Sequence, residues 1–208
     1  MPYAGNGKSV DDLLIDGETV IAVDNIVWPK YILFYDFSNP YRVKHISDLQ
    51  LPNNGTYESI SKGSLSGSLI ALLSSTIGRG GGGRHITISE KNGFSRFVIL
   101  SQYSVLDNEY GKIYDWRDVL MLDGFVFISS GVDGVDLLKV KVDDMLEDGS
   151  HMTDKIRYFN PWQKELVKIL VIPNDTKNIL LVFKTAVYNF EYVLVGKAEL
   201  IALFEQMM

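Results

Sequence analysis

The sequence predicts an all-β protein built from about four antiparallel sheets of four strands each. Three observations carry this. Short runs of β-branched, aliphatic and aromatic residues recur along the chain, such as Thr19-Val20-Ile21-Ala22-Val23 and Phe125-Val126-Phe127-Ile128-Ser129. Turn-type residues punctuate them at Gly17, Gly67 and Gly124. The segment Asp11-Asp12-Leu13-Leu14-Ile15-Asp16-Gly17 returns as Asp118-Val119-Leu120-Met121-Leu122-Asp123-Gly124, which marks an internal repeat.

The elements follow in order. In the first unit (residues 10–52), Leu13 to Ile15, Thr19 to Val23, Tyr31 to Asp36 and Arg42 to Leu49 read as strands. The second (56–115) carries Leu69-Ile70-Ala71-Leu72-Leu73 and Arg84-His85-Ile86-Thr87-Ile88-Ser89. In the third (118–159), Leu137-Leu138-Lys139-Val140-Lys141-Val142 alternates apolar with charged residues, as a strand with one buried face does. The fourth (164–208) carries Leu166 to Ile172, Ile179 to Phe183, Phe190 to Val195 and Ala198 to Phe204. Two late segments have a competing helical reading. Asn160 and Pro161 would cap and start a helix running to Leu170. Lys197 to Met207 is helical by propensity. If both are helices, the fourth sheet dissolves and the protein is a partial array or another β-rich fold.

Four strands per unit, recurring roughly every fifty residues, is the arithmetic of a β-propeller blade. A lone four-stranded sheet cannot cover both of its faces, and stacking such sheets around an axis hides them. The stretch Gly17-Glu18-Thr19-Val20-Ile21-Ala22-Val23-Asp24, followed by Tyr31-Ile32-Leu33-Phe34-Tyr35-Asp36-Phe37-Ser38-Asn39-Pro40, resembles LVIVD-type, YVTN and WD40-like propeller repeats. In those a strand ends in Asp, and the next ends in an Asp-x-Ser-x-Pro turn. The resemblance covers residues 11–45 and, without that turn, 118–143. It implies a scaffold and leaves the chemistry open. Units two and four lack the signature, and no unit has the Gly-His or Trp-Asp pairs of WD40 proteins.

Composition bounds the function. The chain has 208 residues, 46% of them hydrophobic and 22% charged, which is ordinary for a folded globular chain. With no cysteine there is no disulfide scaffold and no thiolate site. A net charge of −6 argues against a general nucleic-acid binder, which needs a basic stripe. No apolar run approaches the roughly 20 residues of a membrane span, and the N-terminus lacks a signal-peptide stretch. A cytoplasmic protein is therefore expected. The sequons at Asn54-Gly55-Thr56 and Asn174-Asp175-Thr176 read as turns.

The candidate chemistry is sparse. Gly78-Arg79-Gly80-Gly81-Gly82-Gly83 matches G-x-G-x-x-G, but a strand follows it instead of the helix that would hold a pyrophosphate. Its glycine amides, with Arg79, Arg84 and His85, could form an anion nest, although a hairpin connection explains the stretch more simply. Asp133 and Asp136 lie three apart among glycines. They lack the further oxygens that calcium wants and fit an Asp-Gly turn. Asp24 has no acidic counterparts in the other units that would make a metal ring. His45, His85 and His151 are scattered, and no G-x-S-x-G elbow occurs.

The expectation is a non-catalytic module that binds a protein or a small ligand, with no cofactor and no metal. Trp28, Arg79, Arg84, His85 and Trp116 are its candidate contact residues, since aromatic and Arg side chains near loops make binding hot spots. Trp28-Pro29 is the most exposed candidate, because the proline forces an extended corner. The alternatives are a hydrolase or lyase with a site at the propeller axis, using Asp24, His85 and Asp133, and a structural component whose open sheet edges a second copy could cover.

Overall fold

The computed structural model describes residues 10–24, 31–50, 59–76, 83–92, 96–106, 115–145, 151–153, 157–159 and 164–206. Among the described residues the protein is all-β apart from one helix, and the strands form four antiparallel sheets. The first holds β1 (Val10–Asp16), β2 (Thr19–Asp24), β3 (Tyr31–Asp36) and β4 (Lys44–Gln50) in sequence order. The second repeats this with β5 (Ser59–Ser66), β6 (Leu69–Thr76), β7 (Gly83–Asn92) and β8 (Arg96–Leu106). The third has β9 (Asp118–Leu122), β10 (Phe125–Ser129) and β11 (Val135–Met145). Two short pieces, β12 (His151–Thr153) and β13 (Arg157–Phe159), share the far edge of β11. The fourth has β14 (Glu165–Val171), β15 (Asn178–Ala186) and β16 (Asn189–Gly196), followed by the helix α1 (Lys197–Gln206). Each sheet is a meander of the kind that makes a propeller blade.

The expected turns open the first three sheets. Gly17 and Gly67 take φ of 58° and 60° at the first position of two-residue hairpins, as type II′ turns require. Asp123 and Gly124 both take positive φ, the type I′ pattern. The two Asp-Gly pairs are therefore not equivalent. Asp16 is the last strand residue before its turn, whereas Asp123 is inside its turn. Counted back from the turns, Asp12 corresponds to Asp118.

The sheets pack in pairs, and the chain divides into two compact units, Met1–Tyr114 and Asp115–Met208. In the first unit, Leu14, Ile21, Val23, Ile32 and Phe34 of the first sheet meet Ile60, Ile70 and Leu72 of the second. In the second unit, Phe125, Phe127, Val135 and Leu137 meet Leu166, Ile169, Ile179, Leu181, Phe183 and Val195. Each fully buried Ile, Leu or Phe contributes about 1.5–3 kcal/mol, so these faces hold each pair together. The approach is close. A Cβ on Gly63 would lie 2.9 Å from Leu14 Cδ1.

The same polar latch joins both pairs. β5 and β14 are edge strands, and each bulges near its start, between Ile60 and Lys62 and between Leu166 and Lys168. Just past the bulge, the amide of Gly63 donates to Asp12 Oδ2 at 2.8 Å, and the amide of Ile169 donates to Asp118 Oδ2 at 3.0 Å. Both bonds span 51 residues. A bulge spoils the ladder and an edge strand leaves amides unpaired. The carboxylate from the preceding sheet satisfies one of them. Around β14 the latch extends further: Leu166 donates its amide to Gly131 O at 2.8 Å, and Ser129 Oγ donates to Leu166 O at 3.2 Å.

The last unit departs from four strands. Glu165–Val171 is a strand, so the helical reading of that part fails; residues 160–163 lie outside those described. Glu, Lys and Leu suit a helix, but Val167, Ile169 and Val171 are β-branched and Leu166 and Ile169 face a sheet partner. Where a fourth strand over Ala198 to Phe204 was one reading, the chain forms α1 instead. Its residues are good helix formers, and Leu200 and Ile201 pack into the core of the second unit. The final sheet therefore keeps three strands.

Candidate functional site

The connection between β3 and β4 presents apolar groups on an ordered frame. It begins at the Asp-x-Ser-x-Pro stretch Asp36 to Pro40. Asp36 Oδ1 accepts the Ser38 amide at 2.9 Å, and Asn39 Oδ1 accepts the Tyr41 amide at 3.0 Å. The Arg42 amide donates to Asn39 O at 2.9 Å, and the Phe37 amide ties the turn to Glu18 O at 2.8 Å. Ser38, through its hydroxyl and then its amide, holds the Asp36 carboxyl below its ordinary pKa. On this frame Tyr41 is 99% exposed; Phe37 and Val43 of the same connection and Ile46 of β4 are exposed as well. The exposed His45 ring meets Tyr35 edge-on with centroids 5.5 Å apart, and Asp48 bonds His45 Nε2 at 2.5 Å.

The residues expected to make contacts are placed as follows. Trp28 falls in the β2–β3 connection and Arg79 in the topologically equivalent β6–β7 connection; both lie outside the described residues. Arg84 is half-buried near the start of β7. His85, the next residue, points the other way, to the face that carries Ile70 and Leu72, and is only 7% exposed beside Ser74. Trp116 leads into β9 and is 5% exposed, with its indole N–H donated to Asp136 Oδ2 at 2.6 Å. His85 and Trp116 are thus both buried side chains.

Asp136 is buried against Trp116, and Asp133 sits in the Ser130–Gly134 turn, whose frame is set by Gly131 and Gly134 at positive φ. His85 and Asp133 belong to different compact units, and the Asp24 side chain lies outside the description. Beside Gly131, Arg117 bridges Asp115 and Glu165, which raises the guanidinium pKa, most through Asp115. This triad ties the entry to β9 to the start of β14. Among the described residues no group of three or more His, Asp or Glu is placed to hold a metal ion, and no helix is long and apolar enough to cross a membrane.

A second exposed apolar surface lies on the last sheet and was not singled out in the sequence. Phe190, Tyr192 and Leu194 alternate along β16 on the face away from the core, 48%, 61% and 56% exposed. Val187 and Tyr188 extend it at the hairpin tip. The available signal was Phe190 to Val195 itself: it is apolar at nearly every position, so it has apolar groups to spare for a second face.

No protein family matches the sequence, and no curated protein matches it. Among solved structures, the chain is similar to a functionally unknown protein from Desulfotomaculum acetoxidans DSM 771. The TM-score is 0.48 at 11% identity, over 91% of this chain and 57% of that one. It is also similar to a mutant of a Bombyx mori GH32 beta-fructofuranosidase in complex with sucrose. There the TM-score is 0.43 at 12% identity, over 91% of this chain and 46% of that one. The chain thus spans about half the length of each.

Proposed function

We propose that this chain is a non-catalytic, cytoplasmic binding module that recognises a protein partner, on a scaffold of the LVIVD, YVTN or WD40-like kind that residues 11–45 and 118–143 resemble. The observation that carries the reading is the β3–β4 turn. Its hydrogen bonds fix the backbone before any partner arrives, and it holds Tyr41 fully out in solvent, with Phe37 and Val43 of the same connection also exposed. A pre-ordered turn loses little entropy on binding, and Tyr is among the side chains that anchor protein interfaces. Trp28, Arg79 and Arg84, at the other strand ends, are proposed as a second contact group.

The test is quantitative capture of partner proteins from extract of the source cells, comparing wild type with Tyr41→Ala and Trp28→Ala. Loss of an interface anchor costs about 2 kcal/mol or more, roughly a thirtyfold fall in affinity. Tyr41→Ala should lose the partner while its melting temperature stays that of wild type, because the ring buries nothing in the fold. Full capture by both variants rejects the reading.

A further inference from the structure

We propose that the open edge of β16 pairs with β16 of a second copy of this chain, antiparallel about a two-fold axis at Tyr192. In the first three sheets the third strand is covered on its outer edge, by β4, by β8, and by β12 with β13. Among the described residues no strand covers β16, because the chain turns into α1 where a fourth strand would begin. Edge strands that must stay alone are commonly blunted by charge, proline, a bulge or short length. β16 is eight residues long and has no proline. Its one charged residue, Glu191, is bonded to Lys164 of its own sheet region at 2.5 Å.

The strand is self-complementary in this register. Tyr192 lies opposite its own copy, and Phe190 lies opposite Leu194, both exposed apolar positions. Glu191 lies opposite Val193, so no like charges meet. Tyr188, 89% exposed at the hairpin tip, comes opposite Gly196, which leaves room for its ring. A shift that centres the axis on Glu191 would set two carboxylates against each other. The contact is isologous and closed, joining two three-stranded sheets into one of six. It uses a surface distinct from the Tyr41 turn, so the two proposals fail separately.

The chain has no cysteine, so a single introduced thiol reports on one place. Opposed residues in an antiparallel pair have Cβ atoms about 4.5–5.5 Å apart, close to disulfide reach. Under mild oxidation Tyr192→Cys should cross-link into dimers quickly, and Tyr41→Cys should not. In sedimentation velocity the wild type should show a dimer that grows with concentration. Leu194→Lys should weaken it at least tenfold, and Phe190→Glu with Leu194→Lys should restore it by setting opposite charges across the axis. Three results overturn the proposal. They are a monomer at every attainable concentration (which leaves the edge to a strand of another protein), a dimer untouched by Leu194→Lys, and Tyr192→Cys cross-linking no faster than Tyr41→Cys.

Discussion

Removing the Asp118 carboxylate tests the pairing of the third and fourth sheets. Asp118 is buried, and its Oδ2 accepts the Ile169 amide at 3.0 Å in an interior setting. In Asp118→Ala that amide keeps no acceptor from the third sheet, and leaving a buried donor unsatisfied costs about 1–3 kcal/mol. At a urea slope of about 2 kcal/mol/M, a loss of ~2 kcal/mol moves the unfolding midpoint down by about 1 M. The assay is equilibrium urea unfolding followed by tryptophan fluorescence, with the slope unchanged. Asp118→Asn keeps an oxygen acceptor of the same shape and should recover most of the loss. Asp12→Ala should cost less, because the Asp12 side chain is partly exposed and solvent can replace it. An Asp118→Ala midpoint within about 0.5 kcal/mol of wild type, the range of ordinary surface changes, would refute the latch.

Two further outcomes follow from the first unit. Gly63→Val places a Cβ 2.9 Å from Leu14 Cδ1 and adds two methyl groups against the buried Leu14 and Leu72 side chains, so it should destabilise by about 1–3 kcal/mol in thermal melts; a neutral result contradicts the face-to-face packing there. The Asp36 carboxyl should titrate below its ordinary value of 3.8 in a carbon-detected NMR titration, because Ser38 bonds its charged form. Since the folded pKa is the lower one, its contribution to the turn is complete above the unfolded value and disappears as pH falls through the folded value. Ser38→Ala should move the midpoint back up, and no movement contradicts the assigned cause.

Much of the architecture was legible in local chemistry. Gly17, Gly67 and Gly124 marked real hairpins because positive φ is a local demand that few residues meet. The strands around them followed from apolar runs of the right length. The repeat alignment slipped by one residue, because Asp-Gly can end a strand or fill a turn, and only the pairing register distinguishes the two. That slip hid the equivalence of Asp12 and Asp118, and with it the latch. The residues around Glu165–Val171 were ambiguous because Leu and Lys serve either state, and the strand was decided by contacts with sheet neighbours distant in sequence. The site was less legible. Trp116 read as a contact residue, but its partner Asp136 is twenty positions away and no local rule brings them together. Tyr41 lay beside a readable Asp-x-Ser-x-Pro turn, yet its exposure depends on what the rest of the sheet leaves uncovered.

Residue-resolved amide hydrogen exchange under native conditions tests most directly the claim that four meander sheets pack as two latched pairs. Gly63 and Ile169 sit on edge strands, where an amide with no acceptor exchanges like those of an open hairpin turn. Bonded to Asp12 and Asp118, both should instead exchange as slowly as the central-strand amides of Ile21 and Phe127. Exchange at both positions as fast as at Glu18 in its exposed turn would contradict the pairing.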